Sequence, residues 1–251
     1  ASMVEVFREV WRVLKPTGTV WMNLGDSYAH DTKGSGGPSV KQLSNAGSFY
    51  NGSQRLNHGL KPKDLVGIPW RVAFALQADG WYLRSDIIWS KPNPMPESVQ
   101  DRPTKAHEYV FLLTKSPRYY YDADAIREDA AWERWGSQTI GKQYRGIHPV
   151  DMNTLDDRRE QGRNKRSVWE IATQPYPEAH FATYPEKLVE PCILAGCPSN
   201  GTVLDPFAGS GTTAAVAQRL GRKAVCLDIN TEYLDMARRR LERISMPMLI
   251  Q

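Results

Sequence analysis

The sequence predicts an α/β fold in which strands alternate with helices, and three observations support this prediction. The amphipathic segment 3–14 is followed, after a Pro-Thr-Gly turn, by the apolar run 19–24, which is typical of a buried strand. A second strand end, at Val203 and Leu204, leads through a glycine-rich turn into an alanine-rich helix. The length of 251 residues and the hydrophobic content of 41% suit one domain of this class with an insertion.

The rest of the chain continues this alternation. A helix is predicted from Asp64 to Leu76, and the runs 81–90 and 107–115 have the composition of strands. Between these two strands, the prolines within 91–96 exclude a helix and favour a stiff, extended loop. An apolar strand at 224–227 and an amphipathic helix follow near the end of the chain.

Composition and charge narrow the classes of function. The net charge of +4 is compatible with a polyanionic partner but does not require one. The cysteines Cys192, Cys197 and Cys226 show no Cys-x-x-Cys spacing, so we expect reduced thiols, no metal site and no disulfide. The sequence contains no apolar run of membrane-spanning length and no signal peptide, which favours a cytoplasmic protein without a membrane partner.

The turn 205–213 predicts a site for a nucleoside cofactor. Gly209 and Gly211 allow a ligand to approach the backbone, and the N–H groups at the start of the following helix favour a carboxylate or phosphate. Asp228 ends the next strand, where nucleoside-binding folds contact ribose hydroxyls. The turn lacks the Gly-Lys-Ser/Thr of a nucleotide triphosphate loop, and Ala214 stands where a dinucleotide site has its third glycine. An ordinary strand-to-helix turn remains the alternative.

Four segments of the sequence resemble a known family. Asp-Pro-Phe-x-Gly-Ser-Gly-Thr-Thr at 205–213 looks like the S-adenosylmethionine loop of DNA amino-methyltransferases. The block His-Phe-Ala-Thr-Tyr-Pro-Glu-Lys-Leu at 180–188 resembles the cofactor-binding helix of the β-ordered group, in which the catalytic half precedes the cofactor half. Trp-Ser-Lys-Pro-Asn at 89–93 and the strand at 107–115 resemble the catalytic half, in the same order.

The resemblance covers nearly the whole chain and implies its architecture. It implies a Rossmann-like methyltransferase sheet, mostly parallel with an antiparallel strand, flanked by helices and carrying an irregular target-recognition insert. The implied divisions are a catalytic half at 1–117 with a flexible loop at 32–63, the insert at 118–166, and an S-adenosylmethionine-binding half at 167–251.

The same resemblance implies a reaction. The expected activity is transfer of a methyl group from S-adenosylmethionine to an exocyclic amine of a flipped base in double-stranded DNA. Cytosine N4 is favoured over adenine N6, because the Asn-Leu-Gly-Asp-Ser-Tyr block at 23–28 and the block at 89–93 look like those of members with a Ser-Pro-Pro-Tyr loop. We also expect a prokaryotic or phage-encoded protein that is a monomer or homodimer and that has a cognate restriction nuclease as a possible partner.

Position within these blocks gives the residue roles. The residues expected to bind the cofactor are His180, Phe181, Thr183, Asp205, Phe207, Gly209, Gly211, Thr212 and Asp228. The residues expected to face the flipped base or its phosphate, as the catalytic set, are Asp26, Trp89, Lys91 and Asn93. Asp26 has an alternative, since an aspartate after a strand often caps the next turn.

Two basic segments are expected to contact DNA. The polar loop 32–63 carries basic residues and no acidic one, which suits phosphate contact. The end of 118–166 combines arginines with preceding aromatic residues, which suits contact with bases and backbone. The expected contacts are Lys33, Lys41, Arg55, Arg158, Arg159, Arg163, Lys165 and Arg166. A solvated loop and a charged linker are the alternatives for these segments.

One expected motif does not occur in the sequence. In this family a Ser- or Asp-Pro-Pro-aromatic loop polarises the amine and stacks on the base, and the Asn-Pro-Met-Pro run at 93–96 does not replace it. In the β order this loop precedes the helix that begins at Met3. We hypothesise that the sequence is a truncated or incompletely recorded form, with a gap in the sheet between the strands 203–205 and 19–24. Its catalytic competence is therefore in doubt.

Two other functions remain open at this point. The first is a catalytically inactive DNA-binding relative, and the second is a small-molecule methyltransferase or a dehydrogenase. Methylation of cytosine C5 is disfavoured, because it needs a nucleophilic cysteine and Cys192 lies inside the predicted cofactor helix.

Overall fold

The computed structural model of this chain describes residues 2–29, 59–129, 162–174 and 183–245. Seven of the predicted site residues lie outside these ranges: Lys33, Lys41, Arg55, Arg158, Arg159, His180 and Phe181. The described elements begin with α1 (Ser2–Val13), β1 (Thr19–Leu24), α2 (Ile68–Ala78), β2 (Tyr82–Ser90), β3 (His107–Thr114) and a short 3₁₀ turn (Asp124–Ile126). They continue with β4 (Val168–Glu170), α3 (Glu186–Gly196), β5 (Thr202–Asp205), α4 (Thr212–Arg219), β6 (Lys223–Cys226) and α5 (Thr231–Ser245).

The described strands form two sheets. A four-stranded sheet has the order β1-β3-β2-β4, and β5 and β6 form a parallel pair. β3 runs antiparallel to both β1 and β2, whereas β2 and β4 are parallel. The predicted α/β fold, with an antiparallel strand in an otherwise parallel arrangement, is confirmed. β1 lies at one edge of the four-stranded sheet, and β5 belongs to the separate pair. Within the described ranges, no strand lies between β1 and β5 and pairs with both of them.

The core lies on both faces of β3, because successive side chains of a strand point to opposite sides. Phe111 and Leu113 face α1 and α2, where they pack in one cluster with Phe7 and Leu76. Val110 faces the other way, in a second cluster that includes Trp89, Trp169 and Leu188. β3 is therefore the buried centre of the four-stranded sheet.

Two helices begin at places other than those predicted. α2 begins at Ile68 rather than Asp64, because Gly67 adopts a left-handed conformation (φ 73°) and Pro69 suits the first helical turn. α3 begins at Glu186, so Pro191 lies inside the helix instead of before it.

α3 connects the two halves of the chain. Its last residue, Gly196, accepts a hydrogen bond from the Thr19 hydroxyl at 3.2 Å. A Cβ atom on Gly196 would lie 2.3 Å from Thr19 Oγ1 and 2.5 Å from Trp21 Nε1, so only glycine allows this approach. α3 also packs against α4, and α4 follows the predicted cofactor turn.

The described ends of the predicted insert also meet. Glu128 and Arg163 exchange two backbone hydrogen bonds, of 2.9 and 2.8 Å, which form an isolated antiparallel bridge. The division at 118–166 remains a prediction.

Candidate cofactor and base-binding site

The turn between β5 and α4 is shaped by Asp205. One carboxylate oxygen accepts the backbone N–H of Phe207 at 3.0 Å. The other accepts the hydroxyl of Thr213 at 2.5 Å and the hydroxyl of Tyr184 at 3.0 Å. Because three donors already contact this carboxylate, its first role is to fix the turn on which a cofactor would lie.

The two glycines of the turn have left-handed backbones, with φ of 49° at Gly209 and 76° at Gly211. The N–H of Gly209 donates to Asp228 Oδ2 at 2.8 Å, while Asp228 Oδ1 accepts the N–H of Asn230 at 2.8 Å. The structure therefore joins the turn to the end of β6, as expected for one nucleoside site. Each oxygen of Asp228 keeps a further lone pair, so the carboxylate can still accept a ribose hydroxyl.

Apolar side chains border the same site. Phe207 is more than half exposed, and Ile229, directly after Asp228, is fully exposed. Exposed apolar groups at the ends of two adjacent strands suit an aromatic ring such as a nucleobase. Ile229 was missed by the sequence analysis, although an apolar residue after a strand-end aspartate was its signal.

Thr212 is bonded on the side of the turn that faces α5. Its side chain is buried, and its hydroxyl accepts a hydrogen bond from Arg240 Nη1 at 3.0 Å. It lies behind the turn, where it braces the turn through α5. Thr183 is half-buried and directly precedes Tyr184.

Tyr184 is a site residue that the sequence analysis did not single out. Its ring packs against the cluster that contains Trp89 and Trp169, and its hydroxyl contacts Asp205 and lies 2.7 Å from Thr213 Oγ1. Burial, together with the charge of Asp205, raises the pKa of Tyr184. The hydroxyl therefore stays protonated and keeps its donor for the Asp205 carboxylate.

Asp26 takes the capping role that was its alternative. Its Oδ1 accepts the N–H of Ser27 and the N–H of Ile68, both at 2.9 Å, and Ile68 is the first residue of α2. Tyr28, in the segment after β1, is covered by Arg102, whose guanidinium lies 3.9 Å from the centre of the Tyr28 ring.

The end of β2 and the loop after it carry Trp89, Lys91 and Asn93, which together are called the wall. Trp89 is only 3% exposed and donates from Nε1 to the carbonyl of Ile171 at 2.8 Å, so it is a core residue and not an exposed stacking surface. Lys91 Nζ lies 4.3 Å from the Trp89 ring centre and forms an ion pair with Glu108. The ammonium of Lys91 therefore lies over the face of the Trp89 ring in a cation–π contact.

Asn93 holds the proline-rich loop in place. Its Oδ1 accepts the N–H of Thr173 at 2.9 Å, and its Nδ2 donates to the carbonyl of Thr173 at 3.3 Å. These contacts join the loop after β2 to the segment after β4, so the amide orients the wall that carries Lys91.

The described part of the basic cluster surrounds one acid. Arg163, Lys165 and Arg166 lie 3.3, 3.8 and 2.9 Å from the Glu128 carboxylate. Burial alone would raise the pKa of Glu128, but the hydrogen bonds from Arg166 outweigh it and lower this pKa. Glu128 is therefore ionised, and its three basic partners leave an excess of positive charge.

Cys192 is unsuited to nucleophilic chemistry. It lies within α3 as predicted, and its thiol donates to the carbonyl of Leu188 at 3.3 Å. Burial raises the pKa of this thiol, which disfavours the reactive thiolate.

In the described ranges, no group of three or more His, Cys, Asp or Glu side chains could hold a metal ion. None of the described helices has the length and apolar character needed to cross a membrane.

The sequence profile of the N6/N4 methyltransferase family, described as "DNA methylase", matches residues 1–239. This chain belongs to that family. This chain is 46% identical over 242 residues to the Type II methyltransferase M.SmaI from Serratia marcescens, covering 96% of this chain and 73% of that protein. The family predicted from the sequence blocks is confirmed.

Solved structures confirm the fold. The PvuII DNA methyltransferase, described as cytosine-N4-specific, gives a TM-score of 0.61 at 18% identity, covering 99% of this chain and 72% of that one. M1.HpyAVI, solved as a complex with SAM, gives a TM-score of 0.54 at 18% identity, covering 95% of this chain and 81% of that one. At these identities the likeness concerns the fold alone.

Proposed function

We propose that this protein transfers a methyl group from S-adenosylmethionine to an exocyclic amine of a base in double-stranded DNA. The main supporting observation is the connection of the Asp205–Thr213 turn to Asp228, in a chain whose family is shown. The carboxylate of Asp228 would accept the ribose hydroxyls. The exposed Phe207 and Ile229 would contact the adenine, and the turn would bind the methionine end.

Lys91 would contact the target nucleotide. It is the cationic group of the wall formed by Trp89, Lys91 and Asn93, and its ammonium retains donor capacity beyond the pair with Glu108. An ammonium here can bind a phosphate of the extruded nucleotide or an acceptor on the base edge. Arg163, Lys165 and Arg166 would contact the DNA backbone.

The target atom proposed is cytosine N4, with adenine N6 as the alternative. This preference depends on the sequence blocks 23–28 and 89–93, because the likeness to the PvuII enzyme supports only the fold. A cognate restriction nuclease and a bacterial cytoplasmic location remain predictions, which bacterial Type II relatives support.

A titration of S-adenosylmethionine into the chain tests the cofactor assignment. Asp228→Asn keeps one acceptor oxygen for the backbone N–H groups but removes the charge, so we expect affinity to fall at least tenfold. Asp235→Asn, at an exposed position of α5, is the matched control and should bind as the unsubstituted chain does. Equal affinity in the two variants would contradict the role of Asp228.

Incorporation of labelled methyl groups into DNA tests the reaction. Nucleosides released from the product should contain N4-methylcytosine, while N6-methyladenine would select the alternative. A non-catalytic DNA-binding relative is the alternative that this assay separates from an enzyme. It predicts binding of DNA and S-adenosylmethionine without transfer.

A further inference from the structure

α5 carries three consecutive arginines, and the third differs from the other two. Arg238 and Arg239 are exposed, whereas the side chain of Arg240 is only 15% exposed. A guanidinium so far removed from water is costly unless its N–H groups find acceptors. The contacts of Arg240 are therefore informative about its role.

Arg240 contacts the cofactor turn directly. Its Nη1 donates to Thr212 Oγ1 at 3.0 Å and to the carbonyl of Ser210 at 3.4 Å. Both Ser210 and Thr212 are buried, so the guanidinium approaches the turn from behind, on the side of α5. One side chain thus fixes a backbone carbonyl and a hydroxyl on either side of Gly211.

Glu186, the first residue of α3, orients this guanidinium. Its Oε1 accepts Arg240 Nη2 at 2.7 Å, and its Oε2 pairs with Arg219 at the end of α4. Burial would raise the pKa of Glu186, but the hydrogen bonds from Arg219 and Arg240 outweigh burial and lower it. The carboxylate is charged near neutral pH, and it joins three helices at one point.

The packing of α5 places Arg240 correctly for these contacts. Ala237 lies so close to the turn that a Cβ atom on Gly211 would be 2.7 Å from the Ala237 Cβ. Positions 237 and 240 share one face of a helix, because residues three apart are neighbours on its surface. The face of α5 that carries Ala237 and Arg240 is therefore a rigid support for the turn.

We propose that Arg240, oriented by Glu186, is a positioning residue that holds the Ser210–Thr212 turn in its cofactor-binding conformation. This inference rests on the proposed function, since it concerns the affinity for S-adenosylmethionine. The contacts of Arg240 with the turn go to Ser210 and Thr212. Arg240 acts through these two residues, in the way that supporting hydrogen bonds lock the residues of a preorganised site.

Calorimetric titration of S-adenosylmethionine into Arg240→Gln tests the proposal, with Arg239→Gln as the matched control. We expect Kd to rise at least tenfold in Arg240→Gln and to stay unchanged in Arg239→Gln. Arg240→Lys keeps the charge but cannot reach all three partners, so it should recover part of the affinity. Circular dichroism verifies that each variant is folded.

The amide resonances of the turn provide a readout that general destabilisation would not produce. In ¹H–¹⁵N spectra, the N–H signals of Gly209 and Gly211 should shift in Arg240→Gln while those of β3 stay in place. If Arg240→Gln does not fold, Glu186→Gln replaces it and must raise Kd while Arg240 is present.

Two results would overturn the inference. A folded Arg240→Gln, or Glu186→Gln in its place, that binds with the unsubstituted Kd removes the positioning role and leaves the proposed function intact. Failure of the unsubstituted chain itself to bind S-adenosylmethionine overturns both proposals, and this outcome is read before any variant is compared.

Discussion

Tyr184 joins the turn between β5 and α4 to the core of the four-stranded sheet. The ring belongs to the cluster around Trp89 and Trp169, while the hydroxyl contacts the carboxylate of Asp205. Trp89 in turn lies beneath Lys91. A movement of the turn would therefore reach Lys91 through Tyr184 and the cluster that contains Trp89.

Tyr184→Phe tests this connection. The variant keeps the ring but removes a hydrogen bond to a carboxylate, which we expect to lower the free energy of unfolding by about 2 kcal/mol. Affinity for S-adenosylmethionine should fall as well, because Asp205 then holds the turn with one donor fewer. Urea denaturation and calorimetric titration measure the two effects.

Tyr119→Phe is the control for Tyr184→Phe. It also removes a hydroxyl that takes part in a hydrogen bond, from Arg84 Nε at 3.2 Å, but no described contact joins it to the cofactor turn. Unchanged cofactor affinity in both variants would contradict the connection through Tyr184.

Glu186 makes stability depend on pH in the acidic range. Its pKa in the folded chain lies below the ordinary value of 4.5, because Arg219 and Arg240 overcome the effect of burial. A carboxylate with a lowered pKa stabilises the fold above the unfolded pKa, and this contribution is lost as pH falls through the folded pKa. The free energy of unfolding should therefore decrease from about pH 4.5 downward.

Denaturation at a series of pH values measures this dependence. Glu186→Gln should be less stable than the unsubstituted chain at pH 7, and its stability should decline less steeply on acidification. Parallel curves for the two proteins would show that Glu186 does not contribute.

At the level of elements, the conformation of the turn between β5 and α4 requires a residue without a side chain at Gly211. Gly211 has a φ of 76°, and a Cβ atom there would also meet Ala237 at 2.7 Å. Gly221 has a similar φ of 70°, but a Cβ atom would find nothing within 4 Å. The two positions separate backbone strain from steric conflict.

Gly211→Ala should therefore be worse than Gly221→Ala. Left-handed backbone alone costs an alanine about 1 kcal/mol or slightly more, which applies to both variants. The contact with Ala237 adds about 1–3 kcal/mol of overpacking in Gly211→Ala. Thermal and urea unfolding measure the difference, and S-adenosylmethionine affinity should be lost only in Gly211→Ala. Equal destabilisation of the two variants would mean that α5 moves away from the added Cβ atom without lowering the free energy of unfolding.

Most elements could be predicted because their signals are local. The bounds of β1 follow from six consecutive residues, and β3 shows itself as an apolar run. The position of Arg240 could not be predicted, since its partners Thr212 and Glu186 lie 28 and 54 residues away in sequence. An arginine on an amphipathic helix resembles a solvated one until the packing of that helix is known. Trp89 was misjudged for the same reason, because burial depends on what packs over a strand end.

At the level of the whole molecule, the basic side chains at the end of the predicted insert are held in place by ion pairs with Glu128. Glu128 and Arg163 join the two described ends of the insert through their backbones. Arg166 pairs with Glu128 yet keeps 66% of its side chain exposed. A cation that is anchored but accessible can neutralise a phosphate without first being ordered.

Arg166→Gln should accordingly weaken DNA binding and reduce its dependence on salt. Each phosphate contact contributes about 0.9 to the slope of log K against log salt concentration, through release of counterions. We expect the slope to fall in magnitude by roughly this amount, similarly for different DNA sequences, because a phosphate contact carries no sequence information. Arg12→Gln removes an exposed arginine that pairs with Glu9 on α1, and it should leave the slope unchanged. If both variants lower the slope equally, the effect comes from net charge, and the region around Glu128 does not contact DNA.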